Sequence, residues 1–103
     1  MQQSKVFEVL KKTGLPVTYK EWPIGEAPQL PYIVFTRRNF DNFVADNVVY
    51  ESDGEFDIEL CTEGKDTAQE DKLMNVFSEE GIIWDWTGEA RTDEGIYIVS
   101  FDI

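Results

Sequence analysis

Apolar residues fall at helical spacing in two stretches of the chain and alternate in several others. Over residues 4–13, Val6, Phe7, Val9 and Leu10 share one broad face, and Ser4 stands where a cap belongs. Gly14 follows at the position a left-handed residue takes after a helix, Leu15 is set against Leu10, and Pro16 prevents the helix resuming. The second stretch, 66–80, turns Leu73, Val76 and Phe77 inward, with Met74 at the margin of the stripe. Asp66 and Gln69 stand in capping-box relation at its start, and Gly81 repeats the stop, setting Ile82 against Phe77. Glu79 and Glu80 lie at the unfavourable, negative end of this helix, and the local pattern gives no reason for them.

The alternating stretches predict strands. Residues 17–22 form a short one, and Pro23, Pro28 and Pro31 then mark an irregular loop. In 32–39 the first half (Tyr32, Ile33, Val34, Phe35) is apolar on both faces, and Arg37 and Arg38 point to opposite sides. Residues 48–50 resume extended structure before Asp53-Gly54, which is either a hairpin turn or a bulge in one long strand. Residues 55–62 alternate cleanly, with Phe56, Ile58 and Leu60 towards a core and Glu55, Asp57 and Glu59 in a row on the other face. Two more strands, 82–89 and 95–103, flank a turn at 90–94. The last is apolar on both sides, so it belongs in the middle of a sheet or at an edge that another subunit covers. The order of elements predicts an α+β fold, a mainly antiparallel sheet with two helices packed on one face, as a single domain over 1–103.

Composition narrows the chemistry. The chain has 103 residues and a net charge of −12, with 42% hydrophobic residues, so it is expected to fold despite its acidity and to avoid nucleic-acid phosphates. It has no histidine, the commonest general base and metal ligand, and a single cysteine, Cys61, whose thiolate the neighbouring acids disfavour. The sequence therefore predicts no enzyme, no catalytic or metal site and no cofactor. No apolar run is long enough for a bilayer or an export signal, so no membrane association is expected.

TGLPVTY (13–19), PYIVF (31–35), NFVADN (42–47), VVY (48–50), IELCT (58–62), GKD (64–66) and IYIVSFDI (96–103) occur in this order along nearly the whole chain. In that ordered set the chain resembles the tail completion, or tail terminator (tail-to-head joining), proteins of long-tailed phages and Gram-positive prophages. It departs from the pattern at Cys61 and in the pair Trp84 and Trp86. The resemblance implies a structural protein that forms a ring, usually a hexamer, on the head-proximal end of the tail tube. Its implied partners are further copies of itself, the major tail tube protein and a head-completion or connector protein. DNA would pass through the ring without sequence-specific binding, and the protein would reside in the virion neck after assembly in the host cytoplasm.

Two groups of residues are candidates for such work. Phe40, Phe43 and Val44 stand among Asp and Asn in a long loop, as anchors of a subunit or tube contact or as a lid over the domain's own core. Glu55, Asp57 and Glu59 either line a ring lumen that repels passing DNA or form the wet face of a half-buried strand. Trp84 and Trp86, on alternate strand positions, read as core, or Trp86 as part of the subunit interface. Arg37 and Arg38 are expected to pair with nearby carboxylates. Two other functions remain open: another neck component, or an acidic DNA mimic that inhibits a host DNA-binding protein.

Overall fold

A computed structural model describes residues 1–39 and 55–103. It contains α1 (Gln3–Lys11), β1 (Val17–Tyr19), β2 (Tyr32–Asn39), β3 (Glu55–Thr62), α2 (Thr67–Glu79), β4 (Asp85–Arg91) and β5 (Tyr97–Asp102). The five strands form one mixed sheet in the order β1-β2-β3-β5-β4, with β1 parallel to β2 and the other pairs antiparallel. The fold is α+β.

The register explains the core. Ile33 lies opposite Leu60, Phe35 opposite Ile58, Ile58 opposite Phe101 and Leu60 opposite Val99, so these side chains rise from the same side of neighbouring strands. They are buried together with Phe56 and with Val6, Val9, Leu10, Leu73, Val76 and Phe77 of the helices. The aromatic rings continue this layer: Phe35 meets Phe56 at 6.2 Å between centroids, and Phe77 meets Phe101 edge-on at 6.1 Å. β5 lies between β3 and β4, the central place its two apolar sides call for.

Both glycine stops form as expected, with φ of +80° at Gly14 and +70° at Gly81. After α2, the Ile82 N–H reaches back to the Phe77 carbonyl at 2.8 Å, closing the cap. After α1 a hydroxyl substitutes for that bond. Thr13 Oγ1 donates to the Leu10 carbonyl at 2.7 Å and accepts from the Leu15 N–H at 3.2 Å, and Thr13 is buried as a result. At the start of α2, Asp66 accepts from the Gln69 backbone N–H at 3.2 Å.

Several boundaries differ from the sequence pattern. Ser4 is not a cap: the Val6 N–H already bonds the Gln2 carbonyl, which puts Ser4 inside α1 and leaves its N-terminus without a side-chain cap. β1 stops at Tyr19 and not at Trp22, because Lys20 adopts φ +70° and the Glu21 N–H turns back to the Tyr19 carbonyl. β4 begins at Asp85 and not at Ile82, whose N–H is taken by the α2 cap. The turn expected at 90–94 falls later, where the Gly95 N–H bonds the Thr92 carbonyl at 3.0 Å. The extended segment at 48–50 and the Asp53-Gly54 turn lie outside the described residues.

Candidate functional site

The carboxylate row of β3 stands on the face of the sheet opposite Phe56, Ile58 and Leu60. Strand alternation puts it there, and the register sets Asp57 against Asp102 of β5 and Glu59 against Ser100. The row is not a bare negative strip. Arg38, at a shift in the β2–β3 register, pairs with Glu55 at 3.1 Å, with Asp57 at 3.5 Å and, closer still, with Asp102. Burial and a hydrogen bond to Asp102 raise the Asp57 pKa above its ordinary value, against the pull of Arg38. One guanidinium thus gathers three carboxylates, and Glu59 stands beyond it without a pair among the described ion pairs. Adjacent on the same face, Cys61 is buried, and its pKa is pushed up to about 12 by loss of solvent and by Glu59. It is a poor nucleophile, as the sequence suggests.

The two tryptophans part company. Trp84 is partly buried against the core, its ring 6.0 Å from that of Phe77. Trp86 lies on the edge strand β4 and is 51% exposed, although its inner side meets Phe101 at 6.5 Å. The expectation that both turn inward together therefore fails for Trp86, since an edge strand has no neighbour to cover it.

Beside Trp86 is a cluster that sequence reasoning missed. Lys65 donates to Glu70 at 2.9 Å and to Glu89 at 2.7 Å, and its ammonium stands 4.9 Å from the centre of the Trp86 ring and 5.6 Å from that of Tyr97. The two carboxylates raise the Lys65 pKa and the ammonium lowers that of Glu89. Glu70 is buried in the first turn of α2, near the positive end of the helix dipole. The signal for this cluster was the GKD motif, which contains Lys65, but its partners come from α2 and β4 and no local pattern joins them.

At the opposite edge of the sheet a groove of about 660 Å³ opens between the start of α1 and β1, floored by Phe7, Val17, Tyr19 and Phe35. Phe40, Phe43 and Val44, the other expected contact residues, lie outside the described residues. Among the described residues no group of three or more Cys, Asp or Glu side chains is placed to hold a metal ion, and no helix is long and apolar enough to cross a membrane. In comparisons with known proteins, the chain matches no family model and no curated sequence.

Proposed function

We propose that this chain is a structural phage protein that assembles as a ring, caps the head-proximal end of the tail tube and joins tail to head. One observation carries the reading. The motifs on which the resemblance rests build neighbouring strands: TGLPVTY covers the turn after α1 and all of β1, PYIVF the first half of β2, IELCT the second half of β3, and IYIVSFDI all of β5. β1, β2, β3 and β5 are consecutive in the sheet, so pieces far apart in sequence specify one continuous surface.

On this reading the ring is a hexamer of this chain, and its partners are the major tail tube protein and a head-completion or connector protein. Phe40, Phe43 and Val44 supply apolar anchors to a neighbouring subunit or the tube. Glu55, Asp57 and Glu59 face the passing DNA, and Arg38 tempers their charge enough to let copies sit side by side. The protein then belongs to the virion neck, after assembly in the host cytoplasm. Deleting the gene from an inducible phage tests this. The expected particles are full heads beside unjoined tails of irregular length, restored by the gene supplied in trans; normal joined virions from the deletion would exclude the reading.

A further inference from the structure

We infer that Asp57 and Asp102 act as one proton-binding unit, in which a single proton shared between their carboxyl groups, with Arg38 as counterion, switches the charge of the β3 row. That this row meets passing DNA rests on the ring reading; the proton switch rests on the arrangement of the cluster itself.

Strand register brings the two acids together. Asp57 of β3 lies directly opposite Asp102 of β5, so both side chains stand on the open face of the sheet. Asp102 is set against Asp85 of β4 on its other side. Glu55 and Glu59 flank Asp57 along β3. The described ion pairs bring one cation to this group. β2 shifts register between Arg37 and Asn39, and the residue at the shift, Arg38, reaches across to β3 and β5. Its Nη2 pairs with Glu55 at 3.1 Å, while Nη1 serves Asp57 Oδ1 at 3.5 Å and Asp102 Oδ2 more closely.

The donors are too few for the acceptors. The Asp102 side chain is 19% exposed, and its Oδ1 is buried with no hydrogen-bond partner among the described residues. A buried carboxylate oxygen left without a donor is costly. The carboxyl group across the ladder can supply one, because a proton on Asp57 lets it donate to Asp102. Two carboxylates in contact also cannot both ionise freely. With the proton bound, a side-chain hydrogen bond ties β3 to β5, and Arg38 is left to Asp102 and Glu55. With the proton lost, Arg38 alone holds Asp57 and Asp102 against each other's charge. Burial and the Asp102 contact outweigh Arg38, so the proton is taken up above the ordinary aspartate range and lost as the pH rises further. Each uptake removes one negative charge from the row, and a ring multiplies that change by its copy number.

Carbon-13 NMR of the side-chain carboxyl groups, followed against pH on the full chain, tests the unit. In the wild type the Asp57 and Asp102 resonances should move together in one step above the ordinary aspartate range, with a second proton bound only at lower pH. Asp102→Asn should weaken proton binding at Asp57 about ten-fold or more, because the like charge is gone and the amide donates to the ionised form. Arg38→Gln should strengthen it about ten-fold, since the counterion is lost. Asp57→Asn should abolish the upper step at Asp102. Backbone amide spectra check that each variant folds, and the wild-type titration decides the matter even where one does not. Independent titration of the two acids, or an Asp57 step unmoved by Asp102→Asn or by Arg38→Gln, would overturn the shared proton. None of these results bears on the tail phenotype of the deletion, which judges the ring reading separately.

Discussion

Cys61 sits between Tyr32 of β2 and Ile98 of β5 in the ladder, and Glu59 is on the same face. A thiol pushed up to about 12 by burial and by Glu59 holds its proton at pH 8. Alkylation by iodoacetamide at that pH should therefore be limited by unfolding and become fast in denaturant; rapid labelling of the native protein would contradict this burial. Cys61 was legible in sequence because both effects are local: a central strand position and an acid two residues away. Arg38 was half legible. Its pairing with carboxylates was expected, but the convergence of Glu55, Asp57 and Asp102 on it depends on strand register, and Asp102 is 64 residues away. Glu80 was not legible at all. Its partner is Lys12, 68 residues distant at the end of α1, and that ammonium lowers its pKa.

The helix ends were the clearest elements in the sequence, because glycine, the apolar residue after it and the final turn are consecutive. At Gly81 an added Cβ would meet nothing within 4 Å, so the positive φ alone decides the effect of a substitution. Gly81→Ala should cost about 1 kcal/mol in chemical denaturation, the strain of a side chain in the left-handed region. An unchanged midpoint would mean that the cap had rearranged. Strand ends were less legible for a related reason. Where β1 and β4 stop or start depends on whether the N–H groups of Glu21 and Ile82 are already bonded elsewhere, and both turn back within their own segment. The alternation of β3 gave its bounds and faces correctly, since a core side and a wet side leave only one register.

For the whole molecule, charge sets the balance. Asp57 binds its proton more tightly folded than unfolded, so its effect raises stability as the pH falls from neutrality towards the ordinary aspartate range. Glu80 and Glu89 act the other way. Lys12 and Lys65 favour their ionised forms in the fold, so their contribution is intact above the ordinary glutamate range and is lost as they protonate below it. Self-repulsion at a net charge of −12 also weakens on acidification. Melting temperature should therefore peak on the acid side of neutrality, between roughly pH 4.5 and 6, and fall below about pH 4. A steady decline from pH 7 downward would show that the exposed pairs outweigh Asp57 and the general repulsion. The sequence conveyed the acidity but not this opposition, because which acids are paired is a property of the assembled sheet.

The central claim concerns assembly, and the direct measurement is electron microscopy of tail-tube protein polymerised in vitro with and without this chain. With it, tubes should stop growing at one end, shorten as its concentration rises, and carry an extra annular density of several copies on that end alone. Tubes of unchanged length with no terminal density, or with the protein scattered along their sides, would contradict the account.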